Sequence, residues 1–168
     1  MTNPADHPTK YVGSTNREPI HGVRIKSLRP IADERGWLME ILRADDSIFE
    51  KFGQVYVSVT YPGVVRAWHY HRLQADYMTC IAGMMKLVLF DTREDSPTCG
   101  HVNEFFIGTR NPTLVRIPKL VYHGFKCVSL EPALILNAPT EPYKHEDPDE
   151  YRLEPHGTLD YDWARRDA

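Results

Sequence analysis

The stretch Val64–Gly83, VVRAWHYHRLQADYMTCIAG, decides how the rest of the chain is read. It sets His69 and His71 two residues apart, adds Asp76 five residues further on, and closes an apolar run on Gly83. Side chains two apart on a strand share a face, so the two imidazoles should project together. Aimed into a barrel mouth, they form a platform for a metal ion or an acid–base pair. Packed within a polar strand, they are hydrogen-bonded histidines with no chemistry. The spacing leaves all three readings open.

The flanking sequence favours an all-β domain. The runs QVYVSVTY (54–61), YMTCIAG (77–83), MKLVLFD (85–91), VNEFFIG (102–108), TLVRIP (113–118) and ALILNAP (133–139) are rich in β-branched and aromatic residues. Turn signals recur between them about every 8–12 residues, the rhythm of a sandwich or barrel. Alternation in 54–61 puts Val55, Val57 and Val59 on one face and Gln54, Tyr56, Ser58 and Thr60 on the other. Only Asp45–Gly53 predicts a short helix, with an acidic start and a glycine stop. After Pro139 the chain becomes polar and proline-rich, which predicts an extended tail packed on the barrel.

With 168 residues there is room for one domain with a real core. We expect a flexible lead-in over 1–22, a single domain over 23–163 and a tail over 164–168. The net charge of -3 gives no general reason to bind nucleic acid or an acidic membrane. No apolar run approaches the roughly 20 residues of a membrane span. Cys80, Cys99 and Cys127 have no paired spacing, which predicts free thiols in a reducing cytoplasm.

The order Gly63, His69, His71, Asp76, Gly83 resembles the first motif of the cupin barrels, with aspartate in place of glutamate. In the second motif, PKLVYHGF, Pro118 and His123 fit, and Leu120 stands where glycine is expected. That resemblance implies a possible ligand set of His69, His71, Asp76 and His123 for one divalent transition metal. The likeness to one cupin branch is closer. ADERGWLMEI, GQVYVSVTYPGVVRAWH, GMMKLVLFDTREDSPTCG and IPKLVYHGF, then TEPY, DPDEYRL and LDYDW, run in the order of the dTDP-4-dehydrorhamnose 3,5-epimerase family. The resemblance spans about Leu28–Trp163. It implies a cupin jelly roll (a double-stranded β-helix barrel), a homodimer and no metal cofactor.

It also implies a chemistry. The family's substrates are nucleotide-linked 6-deoxyhexoses with a ketone at C4, which acidifies the hydrogens on C3 and C5. A base removes one, an enolate forms, and an acid returns a proton from the opposite face. The family's base aligns with His69, its acid with Tyr143, and its other motif histidine with His123. Arg35 and Arg66 match diphosphate-contacting arginines, for which charge-assisted bidentate contacts are suited. Glu40 and Gln54 match substrate-contacting positions. Asp91 and Arg93 read instead as a pair that stabilises a turn.

Three positions depart from the pattern. The family's Q-x-K, whose lysine steadies the enolate oxygen, is here Gln74-Ala75-Asp76, an anion where a cation is needed. The family's aspartate partner of the base lies beyond the matching tryptophan; Asp167 is too near the end to fill that role, which leaves Asp76 or Asp91 to orient His69. His71 replaces a glutamine, and a histidine pair there resembles the sugar-nucleotide 3,4-ketoisomerases. A ketoisomerase and a metal-bearing cupin, either a dioxygenase or a small-molecule binder, are thus the alternatives to an epimerase.

Overall fold

The computed structural model describes residues 18–167. Among these there is no helix, and the strands form two five-stranded antiparallel sheets and one hairpin. The first sheet has the order β1 (Arg24–Ser27), β9 (Thr113–Ile117), β6 (Asp76–Ala82), β11 (Ala133–Asn137), β4 (Tyr56–Thr60). The second has the order β12 (Tyr151–Arg152), β5 (Val65–Tyr70), β10 (Tyr122–Cys127), β7 (Met84–Phe90), β8 (Val102–Gly108). The hairpin pairs β2 (Ile31–Asp33) with β3 (Gly36–Leu38). Such non-sequential antiparallel neighbours on two facing sheets make the jelly-roll sandwich that the sequence implies.

The pleat decides which residues meet. In β6, Met78 and Cys80 point inward to the main core, where they join Met85, Leu87 and Leu89 of β7 and Phe105 and Ile107 of β8. Asp76, on the same face two residues earlier, is carried to the end of the sandwich that this core does not fill. Tyr77 points the other way, and its hydroxyl bonds the segment that covers the outer face, accepting from Glu50 N at 2.7 Å and donating to Ile48 O at 3.1 Å. The second sheet is covered on its outside too. Trp68, Val88 and Phe90 bury there under Tyr161 and Trp163 of the C-terminal segment. This is why MKLVLFD reads as a continuous apolar run rather than an alternating one.

The helix expected over Asp45–Gly53 does not form. The segment is two tight turns, closed by Asp46 N to Arg43 O and Phe49 N to Asp46 O. The Asp46 carboxylate is taken by Lys26 Nζ at 2.5 Å and by Arg43 N at 2.8 Å, and one helical turn gains too little to compete. Of the lead-in, residues 1–17 lie outside the described residues. Ile20 is fully buried in the core, and its N–H donates to Asn103 Oδ1, so packing begins before residue 23. The segment after Pro139 lies along the barrel as expected, with β12 added to the edge of β5.

Leu120 has a φ of 66°, the left-handed conformation that a glycine adopts without strain. The turn needs it, because Leu120 N donates to His71 O at 2.7 Å and so ties the two histidine-bearing segments together. Glycine is missing from this position, but the backbone shape that calls for it is retained.

Candidate active site

Between the sheets, at the end the main core leaves open, lies a cavity of about 1450 Å³. Its walls come from both sheets and from the segment after Pro139. β5 supplies Arg66 and His69, β10 supplies His123, β6 supplies Asp76, and β4 and β11 supply Tyr56 and Asn137. His71 and Gln74 come from the loop after β5, Gln54 precedes β4, and Tyr143 and His145 line the rim. This brings together His69, His71, His123, Tyr143, Gln54 and Arg66, six of the eight residues expected to serve catalysis or substrate binding.

Arg35 and Glu40 do not line it. Arg35 sits on the exposed β2–β3 hairpin, its side chain 85% accessible and paired with Asp33 at 2.5 Å. Glu40 pairs with Arg43 at 2.9 Å.

His69 lies opposite His123 in the β5–β10 ladder and opposite Arg152 in the β5–β12 ladder. Burial, reinforced by the nearby His123, pushes its pKa down to about 4, so at neutral pH the ring is neutral and keeps a lone pair able to accept a proton. Neither aspartate expected to orient it does so. Asp91 is occupied in its own turn, accepting from Arg93 Nε at 2.8 Å, Ser96 Oγ at 2.6 Å and Thr98 Oγ1 at 2.7 Å. The Asp91–Arg93 pair thus stabilises a turn, as its sequence setting predicts.

Asp76 faces the other two histidines. It is 2% exposed, and its Oδ2 lies 3.3 Å from His71 Nε2 and 3.4 Å from His123 Nε2. Its Oδ1 accepts from Gln74 Nε2 at 3.0 Å. Burial favours the neutral acid, but the imidazoles outweigh it and hold the carboxyl well below the usual range. Burial likewise opposes a charge on His71, and the Asp76 carboxylate reverses this and raises its pKa. Of the four residues implied as metal ligands, His71, Asp76 and His123 bring one donor atom each within 4.8 Å of the others; His69 stays outside the group.

Two further residues shape the site and were not legible as functional. The Asp149 carboxylate accepts from the backbone N–H groups of Arg72, Leu73 and Gln74 at 2.8–3.2 Å, and its carbonyl meets His71 Nδ1. Arg152, opposite His69 in the β5–β12 ladder, joins Arg66 and Arg72 among the cavity's guanidinium groups. Asp149 and Arg152 lie in the DPDEYRL block, whose proline-rich composition gave no sign of a two-residue strand.

The comparisons agree with this geometry. The family model described as dTDP-4-dehydrorhamnose 3,5-epimerase matches residues 17–167. A relative in Haloferax volcanii, named "probable low-salt glycan biosynthesis epimerase Agl13", is 46% identical over 136 residues, covering 80% of this chain and 87% of its own. Among solved structures, a dTDP sugar isomerase from Desulfovibrio desulfuricans superposes with a TM-score of 0.82 at 32% identity, over 88% of this chain and 94% of that one. NovW of Streptomyces spheroides, a 4-keto-6-deoxy sugar epimerase, gives 0.78 at 26% identity, over 89% and 78%. The chain belongs to the dTDP-4-dehydrorhamnose 3,5-epimerase family.

Proposed function

We propose that the protein epimerises a 4-keto-6-deoxyhexose linked to a nucleotide diphosphate, with dTDP the nucleotide that the family resemblance implies, at C3, C5 or both, by proton transfer through an enolate.

 The observation that carries this is the single cavity that gathers His69, His123, Tyr143 and Arg66 from both sheets and the C-terminal segment.

His69 is the base. It is neutral, it lines the cavity, and no hydrogen bond from the described residues occupies its ring. A base within reach of a carbon acid next to a ketone is what enolisation requires. Tyr143 is the acid, since its phenol stands at the cavity rim and can return a proton to the enolate. Arg66 and Arg152, with Lys144 nearby on the cavity wall, supply cationic groups for the diphosphate.

A homodimer accounts for two features that one copy leaves unexplained. Val55, Val57 and Val59, on and beside the edge strand β4, are each about half exposed, and Trp37 and Leu38 of the hairpin stand in solvent. A stripe of this kind on a sheet edge is a pairing surface. A second copy seated there would also give the hairpin's Arg35 a site to reach. The three cysteines are free, which supports a cytoplasmic setting; no helix among the described residues is long and apolar enough to cross a membrane.

Incubation with a dTDP-4-keto-6-deoxyhexose in heavy water tests the reading. Deuterium should enter at C3 or C5, and His69→Asn should abolish its entry. A wild-type protein that exchanges neither position, or that yields a 3-keto product, would refute epimerisation.

A further inference from the structure

We infer that the Tyr56 hydroxyl, held by Asn137, is the hydrogen-bond donor to the enolate oxygen, the role for which Asp76 is unsuited. The role rests on the epimerase reading and is distinct from that of Tyr143, which returns a proton to carbon. A ketone that loses a proton from C3 or C5 gathers negative charge on its oxygen, and a carboxylate beside it repels that charge. The groups around Asp76 are already engaged. His71 Nδ1 meets the carbonyl of Asp149, and its Nε2 faces Asp76 Oδ2 at 3.3 Å. His123 Nδ1 faces the carbonyl of Val121 at 3.2 Å, and its Nε2 faces the same carboxylate oxygen at 3.4 Å. Gln74 Nε2 donates to Asp76 Oδ1 at 3.0 Å. The donor has to come from another part of the cavity wall.

The first sheet supplies it. Alternation along β4 turns Tyr56 and Ser58 into the cavity and Val55, Val57 and Val59 away from it. The β4–β11 ladder sets Tyr56 opposite Asn137, and the β11–β6 ladder sets Asn137 opposite Met78, two residues beyond Asp76 on the same face. All four side chains line the cavity. Asn137 Nδ2 donates to the Tyr56 hydroxyl at 2.9 Å, which draws that hydroxyl inward from the edge strand towards β11, the neighbour of β6. His69 projects from β5 in the opposite sheet into the same space. A hexose lying between the sheets can thus present a ring hydrogen to the imidazole and its ketone oxygen to the phenol.

Two details mark this spot as one built for a polar ligand. The Tyr56 oxygen accepts from Asn137, and its own hydrogen finds no acceptor among the described residues. Asn137 is 2% exposed, and its Oδ1 is buried there without a partner. A hydroxyl hydrogen and an amide oxygen therefore stand side by side, both unmet. A sugar ketone and the hydroxyl next to it complement the pair, the ketone accepting from Tyr56 and the hydroxyl donating to Asn137. Burial, with the charges of Asp76 and Glu150, raises the Tyr56 pKa against the opposing effects of Asn137 and Arg66, so the phenol keeps its hydrogen at neutral pH. In the reaction His69 takes the proton from carbon, and the C–H electron pair becomes the new C=C bond. The carbonyl pair moves onto oxygen, and the intact Tyr56 O–H holds that oxygen by a hydrogen bond that strengthens as charge develops.

With a dTDP-4-keto-6-deoxyhexose in heavy water, Tyr56→Phe should lower deuterium exchange and inversion together. The loss should be about 100-fold or more in kcat with KM nearly unchanged, because the bond gains its strength only in the transition state. Asn137→Ala should lower kcat by less, with exchange and inversion again falling in step, since it frees the hydroxyl without removing it. The full chain carrying 3,5-difluorotyrosine at position 56 should lose exchange at a lower alkaline pH than wild type, because its more acidic phenol ionises sooner. A residue that only packs would not move that limb. A folded Tyr56→Phe protein that exchanges at the wild-type rate, or a fluorinated protein with an unshifted limb, would overturn the assignment and leave the epimerase reading intact. Exchange retained with inversion lost in Tyr56→Phe would also overturn it, and would make Tyr56 the acid instead. Wild-type protein that exchanges at neither carbon would sink the epimerase reading and this role with it.

Discussion

Gly124→Ala gives a sharp test of how the site is built. Gly124 lies in β10 between His123 and Phe125, where the ladder to β5 shifts register. A methyl group there would stand 2.3 Å from Ala67 Cβ, 2.9 Å from Ala67 Cα and 3.1 Å from Arg66 O. Its φ is not in the left-handed region, so the backbone itself accepts alanine, and in an open strand the change would gain about 0.5–1 kcal/mol. Here the Cβ–Cβ contact must lengthen by roughly 1 Å to become ordinary packing, which requires β10 and β5 to part. Overpacking of this kind costs about 1–3 kcal/mol, so the sign reverses and the net loss is about 1–2 kcal/mol. Urea unfolding should show it as a midpoint lower by about 0.5–1 M at an unchanged slope near 2 kcal/mol/M. The two strands carry His123 and His69, so exchange activity should fall as well. Ala67→Gly removes the nearer of the two Ala67 atoms, and the double variant should recover at least half the loss, a coupling of about 0.5–2 kcal/mol. A Gly124→Ala protein as stable as wild type, or a double variant that is merely additive, would refute the packing argument.

Tyr143→Phe should lower epimerisation about 100-fold or more while His69 still exchanges the substrate hydrogen for deuterium, because only return of the proton from the other face is lost; parallel NMR of exchange and inversion checks this. Leu120→Gly should raise the urea midpoint slightly, by the equivalent of about 0.5–1 kcal/mol, since it removes a left-handed leucine and keeps the bond to His71. Burial pushes the Asp91 pKa up, but bonds from Arg93, Ser96 and Thr98 outweigh it and leave it lowered. Its stabilisation is therefore present above the unfolded value of about 3.9 and is lost as pH falls through the lower folded value; Asp91→Asn should be less stable at pH 7 and flatter in acid titrations of unfolding. Val57→Lys should convert a dimer to a monomer by light scattering without loss of secondary structure, as a charge is placed in the exposed valine stripe.

Much of the fold was legible because its signals are local. Period-two alternation marks β4, runs of β-branched and aromatic residues between regular turns mark β6, β7, β8, β9 and β11, and no packing partner is needed to read them. The same local reasoning failed at Asp45–Gly53, where an acidic start and a glycine stop resemble a helix. The fate of Asp46 depended on Lys26, twenty residues away, and sequence signals for helix ends do not include such a partner. It failed again at β12, since a two-residue strand has no period; only its bonds to β5 define it.

The site divides in the same way. The sequence by itself determined the residue types and their faces: two histidines on one side of a strand, an aspartate at the mouth of the next, a third histidine before a glycine. It also determined the family, because ordered motifs over most of the chain carry that. Only the tertiary structure decided who meets whom. It sent Asp76 to His71 and His123 rather than to His69, took Arg35 and Glu40 out of the cavity, and brought in Asp149 and Arg152. The reason is that these contacts cross between opposing sheets or reach from the C-terminal segment, and their distances are set by sheet separation and register, which no spacing along the chain encodes.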